Sequence, residues 1–357
     1  MKTQVKSLKV PYNTPKHKKS LVTETVDGKE LLTQIYDSYQ AEPLAEQRKL
    51  LYRALHLIKL NPENVDWKKA DTLRYIKANG FHPANIYVQL GYYYQRLKNY
   101  ETAVRWYLKA QQYPKLSAYY TTDLKIAECL DDLNEKCKAL NYYHRHLSQN
   151  PADEEVHHTV AKLYYEIKDY AQACTHFHKA VKLMARFKNI PARVALVYTD
   201  WAKVYMQNKK YAEAREKLLM ALRHHITNAN ALRHLAYCLS FEPCKDVETE
   251  ESIYWQLVNS SEAMHTDWHN LSVIFQYERN DFKNAQQGYL QALELLEKCE
   301  LTKAHPEKYH EARYKTWRNL SIVCHALQDH AGFSKWVMLI AANYSRKAKR
   351  DTFFMYH

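Results

Sequence analysis

Between residues 154 and 187 the apolar positions fall on two helical stripes separated by a polar break. Leu163, Tyr164 and Ile167 recur at helical spacing, Lys168-Asp169 interrupts them, and Ala173, Phe177, Ala180 and Val181 resume the period. The pattern predicts two amphipathic helices joined by a short turn. Small and large residues alternate along it. Ala161 and Ala173 stand where two helices can approach closely, and Tyr164 and Phe177 stand where the space beside them must be filled. The same alternation recurs as Gly91, Tyr94, Tyr100, Ala103, Tyr107 and Ala110. It recurs again as Ala127, Leu130, Lys136, Ala139, Tyr143 and His146, and as Ala202, Tyr205, Tyr211, Ala214, Leu218 and Ala221.

These residues resemble the tetratricopeptide repeat, a helix–turn–helix unit of about 34 residues. The family places small residues at repeat positions 8, 20 and 27, a large one at 11 and aromatics at 17 and 24. In the stretch from 154 these are Ala161, Ala173, Ala180, Tyr164, Tyr170 and Phe177, a full match. The resemblance covers about 84–347 and extends weakly back to about residue 30. It implies an all-α, right-handed superhelix (an α-solenoid) of about seven units.

In chain order, residues 1–28 read as a basic, disordered N-terminal arm, and 29–83 as atypical capping helices. The array is expected over 84–347, with units at 84–117, 120–153, 154–187, 195–228, 229–264, 265–299 and 314–347. Residues 348–357 read as a C-terminal tail. The unit at 229–264 is degenerate, because the loop from Phe241 to Glu250 breaks its register. The unit at 265–299 fits with one extra residue in its turn. The runs 188–194 and 300–313 are insertions, each containing a proline (Pro191 and Pro306).

Composition narrows the class. Five glycines and 10 prolines leave few turn signals for a sheet protein, and 30 tyrosines suit helix pairs packed by aromatics. No apolar run is long enough to span a bilayer, and the N-terminus lacks the apolar core of a signal peptide. Seven cysteines, an odd number without a Cys-x-x-Cys, read as thiols of a reducing compartment, so the expected location is cytoplasmic. The net charge is +13, and the first twenty residues hold six lysines and no acid. That arm suits contact with an anionic partner, nucleic acid included.

Enzymatic signatures are lacking. Five scattered glycines build no phosphate-binding loop, and neither Gly-x-Ser-x-Gly nor His-Glu-x-x-His occurs. Cys174/His178 and His265/His269 have a spacing that shares one helix face, but two ligands do not make a metal site. Asp131-Asp132 and Glu154-Glu155 read as solvated turn residues. No catalytic residue, metal or cofactor is expected, and the chain reads as a non-enzyme.

By the resemblance, the first helix of each unit lines a concave groove. This brings Tyr92, Arg96, His158, Lys162, Lys203, Arg233 and Tyr237 onto one inner face, basic with interleaved tyrosines. Such a face suits an extended protein or peptide segment, particularly one bearing carboxylates. The expected function is therefore a scaffold or adaptor. A nucleic-acid- or anion-associated protein and a peptide-responsive regulator are the alternatives. The Lys and Asn of the chaperone-tail clamp known in this family are not matched, since those positions hold Val88/Tyr92, Leu124/Glu128, His158/Lys162 and Thr199/Lys203. Substitutions at the groove residues are expected to spare stability, with Lys179 and Lys217 on the convex face as neutral controls.

Overall fold

The structure is a computed structural model that describes residues 83–113, 121–187, 190–298 and 305–355, with side-chain surroundings from Tyr87 to Tyr344. The basic arm at 1–28, nearly all of the capping segment 29–83, and residues 114–120, 188–189 and 299–304 lie outside the described residues. Among the described residues there are fourteen helices and no strand. The all-α repeat architecture implied by the spacing is thus the one observed.

The helices come in seven pairs. They are α1 (Pro83–Arg96) with α2 (Tyr100–Ala110), α3 (Thr122–Asp132) with α4 (Lys136–Gln149), and α5 (Glu154–Glu166) with α6 (Tyr170–Met184). Next come α7 (Pro191–Gln207) with α8 (Tyr211–His224), and α9 (Ala229–Leu239) with α10 (Val247–Val258). The last are α11 (His265–Tyr277) with α12 (Phe282–Lys298), and α13 (Pro306–Ala326) with α14 (His330–Met355). The chain divides into two compact units, one up to Tyr142 and one from Tyr143 onward.

The small positions explain the pairing. Ala103 and Ala110 in the first unit, and Ala161, Ala173, Ala180, Ala202, Ala214 and Ala221 in the second, are wholly buried. Tyr107, Phe177 and Leu218 fill the space beside them with at most 1% of their surface exposed. At Gly91 the approach is closest: a Cβ there would come within 2.6 Å of the Tyr107 ring. Side chains that bury this much apolar surface contribute about 1.5–3 kcal/mol each, which holds α1 on α2 and α5 on α6.

One turn closes most pairs. Lys98, Asn134, Lys168, Lys209 and Gln328 all take left-handed φ values between 57° and 66°. In each case the next N–H reaches back to the carbonyl five residues earlier, as in Asp169 to Tyr164 at 2.8 Å. This ends the first helix with its last carbonyls satisfied. No glycine is used, at about 1 kcal/mol per turn. The next residue often caps the second helix: Asn99, Asp169 and Asp329 accept the N–H three places on. In the pair α11–α12 the left-handed residue comes one place later, at Asn280, and the returning bond runs from Asp281 to Phe275.

Three stretches depart from simple spacing. Pro191 starts α7, so the end of the 188–194 run lengthens that helix. Pro306 starts α13 in the same way and makes 306–313 helical. Helix α14 breaks at Tyr344 but runs on to Met355, so most of the stretch read as a tail is helical.

Within the unit from Tyr143 onward each helix packs on the next. In addition α5 touches α7, and α7 touches α9. The first helices α5, α7 and α9 are therefore direct neighbours and form a continuous wall, the inner wall of the expected groove.

Candidate functional site

That inner wall carries five of the seven residues singled out from the sequence. His158 and Lys162 lie on α5, Lys203 on α7, and Arg233 and Tyr237 on α9. Tyr92 and Arg96 belong to the first unit, where both are exposed on α1.

The geometry groups these residues in a way that charge counting does not anticipate. His158 and Lys203 converge on one carboxylate, Asp200 of α7. His158 Nε2 lies 2.9 Å from Oδ2, and Lys203 Nζ donates to Oδ1 at 2.8 Å. Burial alone would push the Asp200 carboxyl up, but the hydrogen bonds and positive charges of His158 and Lys203 prevail and hold it below the usual carboxylate range. Arg233 forks onto Asp267 of α11, with Nε 2.9 Å from Oδ1 and Nη2 2.9 Å from Oδ2. Its Nη2 also donates to the Glu262 carbonyl.

Asp267 is 1% exposed and does two tasks. It accepts the Arg233 fork, and it accepts the Met264 N–H at 2.9 Å, which closes the first turn of α11. These pairs bear on the expectation that substitutions at Arg233 and Lys203 spare stability. Each holds a carboxylate of the fold, and Arg233 neutralises one that is cut off from water. Lys162 is exposed and makes no ion pair among the described residues.

Beside these pairs lies a hollow of about 530 Å³. Arg233, Tyr237, Tyr211, Gln207, His234 and Asn270 are among its lining residues, drawn from α7, α8, α9 and α11. One side is aromatic. Tyr211 stacks on Phe241 with ring centres 4.6 Å apart, and Tyr237 meets Phe241 edge-on at 4.9 Å, yet Tyr237 remains 46% exposed. The other side is polar. Asn270 donates to the Tyr254 hydroxyl at 3.0 Å and keeps its carbonyl oxygen for another donor. His234 is held neutral, its pKa pushed down to about 4 by burial and then by Lys203. The hollow can therefore grip an apolar or aromatic side chain and bond to amides. Asp267 balances Arg233 there, and Lys209 is a lining cation without an ion pair among the described residues.

Sequence reasoning found Arg233 and Tyr237 and missed Asp200 and Asp267. Neither occupies a groove position of the repeat pattern; His158 and Arg233 reach them from another repeat, and Lys203 reaches Asp200 along the same helix.

The model of the tetratricopeptide repeat family matches residues 84–114, the turn between α1 and α2 included. The chain carries a tetratricopeptide repeat at residues 84–114 and has the fold of tetratricopeptide-repeat proteins. Its fold is similar to that of a tetratricopeptide repeat protein from Parabacteroides merdae, at 16% identity and a TM-score of 0.51, over 80% of this chain and 97% of that one. It is also similar to the C-terminal part of a repeat-containing protein from Cytophaga hutchinsonii, at 12% identity and a TM-score of 0.58, over 74% and 98% of the two chains. No curated protein matches it. Among the described residues no helix is long and apolar enough to cross a membrane.

Proposed function

We propose that this protein is a non-enzymatic scaffold that holds an extended segment of a protein partner on the inner wall formed by α5, α7, α9 and α11. The repeat is a platform for protein interaction in general, so the partner must be argued from the surface. The observation that carries the reading is the hollow beside Tyr211 and Tyr237. Exposed tyrosines are rigid anchors that lose little entropy on binding, and Gln207 and Asn270 stand beside them to bond a peptide backbone.

The partner's chemistry follows from the pairing of charges. Asp200 and Asp267 neutralise the cations that would otherwise favour a polyanion, so an apolar or aromatic anchor flanked by amides fits better than a run of carboxylates. Lys162 leaves room for one acidic group toward α5. The same pairing argues against the inner wall as a nucleic-acid track, which would need unpaired cations. Six free thiols among the described residues suit a reducing compartment such as the cytoplasm.

The test is a peptide-display selection against the whole protein, followed by affinity measurement on Tyr237→Ala and Tyr211→Ala. Selected segments should carry an aromatic or large apolar residue, and each variant should weaken them about tenfold or more, as loss of a central aromatic anchor does. Affinity should change little with salt. Segments that bind both variants like the parent would overturn the assignment of the inner wall.

A further inference from the structure

A second hollow, of about 580 Å³, lies on the opposite layer, between the second helices α4 and α6 and the start of α5. Its walls differ in kind from the first. His144, His157 and His176 form its floor and side, and Lys179, Lys182 and Arg186 rim it. No carboxylate lines it. This follows from the sequence of the two outer helices. Neither α4 nor α6 contains an aspartate or glutamate, whereas α2, α8, α10 and α12 each contain at least one. Lys179, Lys182 and Arg186 are exposed, and none of them makes an ion pair among the described residues.

The histidines are wired in one direction. His157 Nε2 lies 3.2 Å from the Pro151 carbonyl, which can only accept, so that nitrogen carries the proton. In neutral His157 the other nitrogen, Nδ1, is then an acceptor. It lies 3.0 Å from His176 Nδ1, which must be the donor. This leaves His176 Nε2 as a free lone pair with no partner among the described residues. His176 can take a proton there and keep its bond to His157. Whichever Nδ1 holds the shared hydrogen, one proton taken up by the pair leaves a hydrogen on His176 Nε2 and keeps the bond between the rings. The rings do not form a metal-ligand set, because His157 is committed at both nitrogens.

We propose that this hollow is a binding site for a phosphate monoester, held by Lys179, Lys182 and Arg186 and completed by a proton taken up on His176 Nε2. Three unpaired cations round a concave surface supply the charge of a dianion, and Arg and Lys together offer the donors that a tetrahedral oxyanion accepts. Beneath them protonated His176 Nε2 supplies a donor, while His144 Nε2 is held by the Tyr164 hydroxyl at 2.8 Å. The groups that face His176 are His157 from α5, His144 from α4 and Lys179 from its own helix; Tyr164 lies against its ring. Asp153, the acid that acts on His157, is engaged by His146 at 2.9 Å. Burial, then His157, Lys179 and His144, push the His176 pKa down to about 4. A bound dianion reverses the effect of these positive neighbours, so binding takes up a proton and strengthens as pH falls.

The experiment follows the histidine ring signals of the whole protein by NMR. The titrants are sodium sulfate, sodium phosphate, a phosphoserine peptide and its unphosphorylated form, with sodium chloride at matched ionic strength as reference. The His144, His157 and His176 signals should shift saturably with sulfate and phosphate and not with chloride. The triple variant K179Q/K182Q/R186Q, confined to exposed residues, should weaken sulfate at least tenfold. Sulfate does not titrate in this range, so its affinity should rise about tenfold from pH 7 to pH 5, and H176Q should flatten that profile. A phosphopeptide that binds more tightly than inorganic phosphate identifies a protein-borne group. Equal affinities identify a free phosphate ester. Shifts that chloride reproduces, or that the triple variant leaves unchanged, would sink the proposal. A flat sulfate profile in the parent protein would overturn the role of His176.

Discussion

On the inner wall Arg233 and Lys203 lie against Asp267 and Asp200, whereas across the repeat on the outer layer Lys179, Lys182 and Arg186 have no carboxylate beside them. Both faces are rich in positive residues when read along the chain. The inner cations are spent within the fold: the neighbouring first helix brings Arg233 to an acid 34 residues away, and Lys203 meets one three residues back on its own helix. The outer cations sit on α6 and just past its end, and neither α6 nor the adjacent α4 carries an acid, so no acid of these helices competes with a ligand. Where a repeat protein keeps available charge is thus decided by pairing, within a helix and between repeats. The number of lysines and arginines on a face does not decide it.

The largest effect expected from this contrast is on Arg233. Arg233→Gln removes the fork and leaves Asp267 buried with only the Met264 N–H. Breaking a buried pair from one side costs about 3–5 kcal/mol, and the part of Arg233 still open to water sets the expectation near 3 kcal/mol. The matched outer change, Arg186→Gln, should leave stability within about 0.5 kcal/mol. Urea denaturation of the two variants checks this. Equal midpoints would mean that inner and outer cations are used alike.

How much of this was legible in the sequence depends on the distance over which each feature is decided. The helix pairs were legible because Ala161, Ala173 and Phe177 satisfy a packing rule local to one repeat, and burial of all three follows directly. The position of Arg233 and Tyr237 on the first helix of their pair was legible for the same reason. Asp267 could not be assigned to Arg233, since its burial depends on how α11 seats against α9. Asp200 stands one place past the Thr199 groove position, and only the crossing of α5 over α7 brings His158 to it, 42 residues away. On the outer layer the absence of acids from α4 and α6 was visible as letters. Its meaning needed the pairing of His157 with His176, which links the two helices of one repeat.

A middle-sized effect concerns acid. The Asp200 carboxyl is held low in the folded protein by His158 and Lys203 after these overcome burial. A lowered folded value means that the stabilisation is fully present above the unfolded value of 3.8 and is lost as pH falls through the folded value. Asp200→Asn should therefore lower stability by about 1 kcal/mol at pH 7, and the difference from the parent should shrink as pH falls below about 4. Guanidinium midpoints at pH 7 and pH 3 provide the check. A gap of the same size at both values would show that His158 and Lys203 do not depend on the Asp200 charge.

The smallest effect tests whether the outer cations repel one another. Lys179 and Lys182 lie three apart on α6, and like charges at that spacing destabilise a helix by about 0.2–0.5 kcal/mol. Lys182 also stands in the last turn, where a cation is favoured by about 0.3–1 kcal/mol through the helix dipole. These two contributions oppose each other at Lys182, so Lys182→Gln should be neutral or slightly destabilising. Lys179 lies outside the last turn and has only the repulsive contribution. Gln and Lys have similar helix propensities, so Lys179→Gln should stabilise the protein by a few tenths of a kcal/mol at low salt. The gain should vanish near 1 M salt, where the screening length falls to about 3 Å. The same substitution removes one of the charges that depress His176, so the His176 titration should move up. A Lys179→Gln variant with unchanged low-salt stability and an unchanged His176 titration would mean that Lys179 points away from the hollow.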